Sequence, residues 1–498
     1  MSSRDLVKSM LMIGSAQAVS VVISVLRVKV LALLVGPAGI GLLGIYQNLR
    51  ETGALGAGLG LQNSGVREIA GARGEAETLA RVRRVLAGAL LLQGAIAMAI
   101  IWLLRERLAV WLAGDASHAA GVGLVGAAVF LTLASGSQLA ILQGMRRIGD
   151  LARVTIHGAL AGTAAGLAAV WFMGMDGLIW LILAQPLAAI LVAALYMRRL
   201  PPAGGARPGP GEFVKTWWPM VTLGSVFMAG GLVGAATLLL VRGLISRDLG
   251  LAATGQFAAA WSMSAVYLGF LLKAMSADYF PRLTEIVHDR EAAVALMNDQ
   301  MQLALALGGP VLLLLIGCAP WIVELLYSAQ FADAVTLLQW QTLGNVFKIA
   351  AWPLGFAFVA AARSGVFLFN QILWNALFLA LGWLGLPHWG IDAFGVSFLV
   401  AFGIGLAVNA VLVRRYFGFR WQALSRRLIW MHAALGLGLF ALAQALPAAA
   451  AIAAIVIAGL TALAGGHVVA SKIGPSGRLA SRLAGFYAAI GWPIRENS

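Results

Sequence analysis

The chain has 498 residues, 61% of them hydrophobic and 11% charged, with a mean hydropathy of +0.88. Soluble domains run about 25% charged, so an ordinary globular enzyme is excluded. A formal charge of +15 would point to nucleic acid in a soluble protein. Here the basic residues fall between apolar runs, where they set topology and meet anionic membrane lipids, and no nucleic-acid partner is expected.

A helix that crosses a bilayer needs roughly 20 apolar residues. About fourteen such runs follow in order: 8–35, 40–66, 85–104, 119–143, 154–174, 177–197, 217–241, 251–276, 299–318, 334–360, 366–386, 393–413, 428–446 and 449–470. The first has no cleavage motif and runs past signal-peptide length, so it reads as a retained helix. The fold class this predicts is an all-α polytopic membrane protein. With the N-terminus in the cytoplasm, 26 of the 35 lysines and arginines fall on the inner side. Four, Arg105, Arg107, Arg242 and Arg247, fall on the outer side. That bias predicts both termini in the cytoplasm.

Residues 201–215 lie in the richest Pro/Gly stretch, LPPAGGARPGPGEFVK (200–215), and read as a linker. It separates a six-helix lobe at 1–200 from a second at 216–415. The halves echo each other. LLVGPAGIGLLGIYQNL (33–49) has the layout of LISRDLGLAATGQFAAAW (244–261), and SGVREIA (64–70) parallels YFPRLTEI (279–286). Parallel repeats are a common transporter plan. Residues 416–472 read as an appended transmembrane hairpin, and 473–498 as a cytoplasmic tail. Gly53, Gly56, Gly58 and Gly60 cluster in the second run. They serve either tight helix packing or a helix that bends.

Five cations lie inside apolar runs: Arg27, Lys29, Arg50, Lys273 and Lys348. Each costs at least ~2.5–3.5 kcal/mol at the centre of a bilayer, which points to an anionic substrate. Lys348 sits near the middle of its run and is the strongest candidate. Arg27 and Lys29 point about 200° apart on a helix. Lys273 lies near the cytoplasmic end, where it serves as a headgroup anchor or a gate. Polar residues form stripes at helical spacing: Gln341, Asn345 and Lys348, then Gln47, Arg50 and Glu51, then Gln371 and Asn375 beside Trp374. Amides hydrogen-bond sugar hydroxyls and aromatic faces cover sugar rings, but amides also hold helices together. Glu51 and Asp278 are the acids nearest these cations and are the candidates for coupling or gating. Glu51 beside Arg50 reads as a neutralising pair.

Other chemistry lacks its residues. Cys318 is alone, the six histidines are scattered, and no Asp-x-Asp pair occurs among the 20 acidic residues. No catalytic, metal or cofactor site is expected, and an H+ or Na+ gradient is the one energy source considered.

The run KVLALLVGPAGIGLLG (29–44) resembles the first-helix signature of Wzx-type flippases, the O-antigen and enterobacterial-common-antigen translocases of the MOP superfamily. NSGVREIA (63–70), YFPRLTEI (279–286) and WQTLGNVFKIAAWPLGF (340–356) agree, and the resemblance spans residues 5–415. It implies two pseudo-symmetric six-helix lobes, a V-shaped central cavity, and alternating access that carries an undecaprenyl-diphosphate-linked oligosaccharide to the outer leaflet of a bacterial inner membrane. Lys29 and Lys348 match cavity lysines of that pattern, whereas Arg27 and Arg50 have no assigned counterpart. The pattern often carries an acid where Asn345 stands. A polysaccharide polymerase and a chain-length regulator are the protein partners it implies. A peptidoglycan-precursor flippase and a multidrug/cation antiporter are the alternatives within the superfamily.

Overall fold

The computed structural model describes residues 3–201, 208–473, 478–489 and 491–493. Side chains are described from residue 21 on, apart from residues 226, 227, 266, 267, 270, 277, 473, 478–480 and 483. The described residues form helices and no strand, as the apolar runs predict, because a backbone in lipid must satisfy its own polar groups. Eleven stretches are long and apolar enough to cross a bilayer. Three of these, Val21–Gly58, Ile148–Met197 and Met228–Ala265, each contain two helices, so the eleven stretches among the described residues hold fourteen helices.

The chain divides into two compact units, Met1–Ala258 with Leu326–Gln330, and Ala259–Leu325 with Phe331–Ser498. The division falls inside a long helix. Of the expected linker, residues 202–207 lie outside the described residues, and helix resumes at Pro210. Residues 474–477, 490 and 494–498 of the expected tail also lie outside them.

Unit 1 contains α1 (Ser3–Gly58), α2 (Leu61–Gly71), α3 (Ala76–Leu103), α4 (Arg105–Ala113), α5 (Ala119–Gly144), α6 (Ile148–Met173), α7 (Gly177–Met197) and the first part of α8 (Pro210–Ile286). Two of these helices are broken. Gly36, at φ 59 and ψ −166, interrupts α1 ahead of Pro37, and Gly250, at φ 88 and ψ 173, interrupts α8. Both conformations are open essentially to glycine alone. Placing Gly36 on Gly250 sets Pro37 opposite Leu251 and Gly41 opposite Gly255. The contacts follow that correspondence in exchange. Gly41 lies against the backbone of Leu251, and Gly255 lies against the backbone of Pro37. Such reciprocal pairing is what a local two-fold relation produces. The sequence echo between 33–49 and 244–261 is therefore structural.

The glycine cluster of the second run is packed. A Cβ on Gly53 or Gly58 would crowd Val129 or Leu133, and Gly60 lies against the backbone of Gly224. The helix ends there: Leu59 and Gly60 have φ of 47 and 68, and α2 carries 64–70 as a separate segment. Its counterpart 279–286 remains inside α8. Arginines between the apolar runs also hold this unit. Buried Asp150 accepts from Arg153 at 3.1 Å and lies 4.0 Å from Arg199.

Unit 2 contains the rest of α8, then α9 (Arg290–Gly317), α10 (Ala319–Leu326), α11 (Ala334–Ala360), α12 (Ser364–Trp389), α13 (Asp392–Phe417), α14 (Ala423–Ala445), α15 (Pro447–Ile473) and α16 (Arg478–Ala489). Buried Tyr279 joins α8 to α11 by donating to the Pro353 carbonyl at 2.8 Å. The hairpin α14–α15, expected as an appendage, is built into this unit. Asn298 of α9 donates to the Arg420 carbonyl and accepts from the Gln422 amide, both at 3.0 Å, and accepts from Ser425 Oγ at 2.8 Å. Gln302 adds bonds to Gln422 and Ser425. Lys472 closes the other helix onto Asp299 at 2.5 Å. Gly317 and Gly465 let α15 approach α9 at Ala450 and Ala306.

The break contact makes a prediction about stability. In Gly255→Ala the new methyl meets the backbone of Pro37, which cannot rotate away, and overpacking costs about 1–3 kcal/mol. Gly234 lies in the same helix with open space around its Cα, so Gly234→Ala gains up to about 1 kcal/mol of helix propensity. Thermal unfolding in detergent should show opposite shifts for the two variants. A Gly255→Ala protein as stable as the parent would remove the contact as a determinant.

Candidate functional site

Unit 1 gathers arginines. Arg27 stands in the first half of α1 and Arg50 in the second, close enough to repel each other. Arg27 bonds Ser24 at 3.3 Å, and its Nε has no partner. Arg50 makes no hydrogen bond or ion pair among the described residues. Glu51 is exposed and bonds directly to neither arginine, although its charge attracts both Arg50 and Arg242. The expected Arg50–Glu51 pair is thus an attraction across space and not a contact. Lys29 and Gln47 are half-buried in α1.

Arg242 is the residue that the sequence misplaces. Counted among the outer-side cations, it is 7% exposed, and its guanidinium donates to the Gly44 carbonyl. Its Nε has no partner. The error has a simple source: Arg242 closes an apolar run, and arginines there usually snorkel to the headgroups. The Gly-rich segment 39–44 in the matching repeat is the signal that could have corrected it, since a small residue facing an arginine leaves its carbonyl open.

Unit 2 treats its lysine differently. Lys348 has no carboxylate partner among the described residues. Its ammonium lies over the rings of Phe402 and Phe398, at 5.2 and 5.6 Å. Phe402 stacks on Trp374 at 4.9 Å. Trp374 Nε1 donates to Gln371 at 3.2 Å, and Asn375 Nδ2 donates to the Gln371 carbonyl at 2.7 Å. One continuous chain thus joins Lys348 to Gln371 and Asn375, two stripes that were predicted separately. Cation–π contacts give ~0.5–2 kcal/mol each, which holds the charge in place without neutralising it.

The amides divide. Asn345 is buried and donates to Ser264 Oγ at 2.7 Å, with its oxygen unpartnered. Gln341 is fully buried with neither amide atom partnered. Lys273 and Asp278 are exposed near the end of α8, and Asp278 pairs with Arg282 at 3.1 Å. Neither joins the cationic groups. Among the described residues no cluster of His, Cys, Asp and Glu could hold a metal ion.

A polytopic helical membrane protein with two glycine-broken helices and cations held inside its spans is the class defined so far. A family model described as polysaccharide biosynthesis protein matches residues 30–336, more than half of the chain. The chain belongs to that family. It is 26% identical over 402 residues to the lipid III flippase of Escherichia coli (strain K12), covering 78% of this chain and 92% of that protein. The lipid III flippase of Shigella flexneri matches with the same figures. Among solved structures, the lipid II flippase MurJ in an inward closed conformation is similar over 91% of this chain and 98% of its own, at a TM-score of 0.66 and 12% identity. An inward-facing MATE multidrug transporter of the MOP superfamily is similar over 82% and 96%, at 0.65 and 15%. These likenesses show the fold, as the resemblance in the sequence implied.

Arg242 separates stability from function. Replacing a desolvated ion by an apolar group of similar volume is often neutral or stabilising. Arg242→Met should therefore melt at or above the parent temperature while losing at least about tenfold in transport, the order of one charge-assisted hydrogen bond. A large fall in melting temperature would make Arg242 a structural residue.

Proposed function

We propose that the chain moves an undecaprenyl-diphosphate-linked oligosaccharide from the cytoplasmic to the periplasmic leaflet by alternating access. One observation carries the reading. Among the described residues no carboxylate bonds to Arg27, Arg50, Arg242 or Lys348: exposed Glu51 attracts Arg50 and Arg242 from a distance, and Lys348 lies over aromatic rings. A diphosphate needs such groups. Carrying its charge through hydrocarbon unaided is prohibitive, and cationic donors replace its hydration. No bond is made or broken in this step. The relatives named as lipid III flippases support a lipid-linked substrate, and family membership supports a saccharide. A multidrug/cation antiporter would want acidic residues in its lobe cavities, and the first apolar run, 8–35, has none. A peptidoglycan-precursor flippase is the reading favoured by the fold likeness alone, and the choice of substrate decides between them.

Purified protein in vesicles with a fluorescent polyprenyl-diphosphate sugar tests the proposal. Flipping should be lost in Lys348→Ala and in Lys29→Ala, and partly kept in Lys348→Arg, because a mobile diphosphate reads charge more than shape. Normal flipping by Lys348→Ala would remove the central residue. In the same vesicles an imposed H+ or Na+ gradient should change the rate little. A many-fold acceleration that Glu51→Gln abolishes would make Glu51 the coupling residue.

The 26 basic residues assigned to the inner side, against Arg105, Arg107 and Arg247 on the outer side, support an inner-membrane orientation with both termini in the cytoplasm. Reporter fusions after Arg420 and at Ser498 should both report the cytoplasm. A periplasmic signal at Ser498 would make the number of crossings odd.

A further inference from the structure

A second cationic feature lies apart from the cations of the candidate site. Where α13 meets α14, a cavity of about 460 Å³ is lined by Arg414, Arg420 and Arg426, with Phe419 and Trp421 forming its apolar wall. The three arginines are exposed, Phe419 is buried and Trp421 is half-buried. Segment 410–427 reads AVLVRRYFGFRWQALSRR and contains no acid, so no charge within it opposes the guanidinium groups.

The loop that carries the cavity is fixed. Gly418 turns the chain at φ 71, and Phe419 and Trp421 meet edge to face at 5.2 Å. Asn298, fully buried in α9, grips the backbone on both sides of Trp421, at the Arg420 carbonyl and the Gln422 amide. Arginines that served only to orient the helix would need no such anchoring, because the topological bias depends on charge and not on geometry. The α14 N-terminus opens beside Arg426 and adds the positive end of its dipole.

We propose that this cavity binds the phosphate-bearing headgroup of an anionic lipid carrying at least two negative charges. Guanidinium forks match phosphate oxygens in pairs, three of them suit two phosphate groups, and the wall of Phe419 and Trp421 takes the glycerol or the first carbons of a lipid chain. Two lipids share this chemistry, a bis-phosphate phospholipid of the cardiolipin type and a polyprenyl diphosphate. The site lies on the cytoplasmic leaflet if the orientation proposed above holds, but binding in detergent does not depend on that orientation.

Native mass spectrometry of the full chain in detergent tests the site, with cardiolipin, undecaprenyl diphosphate and zwitterionic phosphatidylethanolamine as the probes. At least one anionic lipid should bind more tightly than phosphatidylethanolamine. Arg420→Gln and Arg426→Gln should each weaken it about fivefold, and the double variant about 25-fold. With cardiolipin as the probe, Lys348→Ala should leave binding unchanged, so loss of flipping and loss of this site remain separable. Cardiolipin alone affected by the arginine variants identifies a structural phospholipid. Undecaprenyl diphosphate alone identifies a site for the substrate lipid. The proposal is overturned if the double variant keeps full cardiolipin binding and, in a Lys348→Ala background, full undecaprenyl diphosphate binding, or if phosphatidylethanolamine binds equally. If the double variant does not fold, the two single variants carry the same test, because both side chains are exposed.

Discussion

The contact between the two broken helices is the constraint on which unit 1 depends. A helix of α1's length could run straight through a membrane and out the other side. It does not, because Gly36 takes a backbone conformation closed to residues with a Cβ. Gly250 does the same in α8. A break alone leaves backbone groups unpaired and two helix halves free to swing. Here the second glycine of each segment, Gly41 or Gly255, lets the opposite break come into backbone contact. Each repeat thus supplies both the break and the surface that receives the other break. The same small-residue logic recurs at Gly60 and Gly224, so α1 and α8 meet closely at two points along their length.

With those helices fixed, the cations solve the cost of burial in two ways. Arg242 uses backbone: its guanidinium donates to a carbonyl that Gly44 leaves accessible. Lys348 uses aromatic faces: the rings of Phe398 and Phe402 attract it without removing its charge. Neither device includes a carboxylate in contact. A carboxylate would be the cheaper partner if stability were the only demand, since a neutralised pair costs less in lipid than a lone ion. The arrangement fits residues whose positive charge is kept for an anion that arrives and leaves.

Much of this was legible in the sequence, and the reasons are physical. The all-helical architecture was readable because lipid demands long apolar runs. The repeat was readable because a broken helix needs glycine at fixed offsets, and 33–49 and 244–261 both supply it. Side-chain partners were less legible. The stripe of Gln341, Asn345 and Lys348 correctly shares one helix, yet periodicity says nothing of the neighbours, and two of the three turn out buried. Arg242 was misplaced because one residue at the end of a run can face either way. The hairpin looked appended because Asn298 and Gln302 read as ordinary polar positions on α9. Only three-dimensional placement shows them saturated by the 420–425 segment.

The same placement separates amides that hold helices together from amides that remain available. Asn298 uses both ends of its side chain, and Gln339 donates to the Ile316 carbonyl while accepting from Gln444 at 3.0 Å. Those are structural. Asn345 and Asn375 each spend the nitrogen and leave the oxygen unpartnered. Gln341 spends neither atom against the protein, although it is fully buried. A buried polar group left unpaired costs about 1–3 kcal/mol, so a side chain kept only for packing would be replaced by leucine or methionine at a gain. On this physical ranking Gln341 stands first among the amides, ahead of Asn345 and Asn375. Its position two helical turns from Lys348 on the same helix makes the pair the polar axis of unit 2.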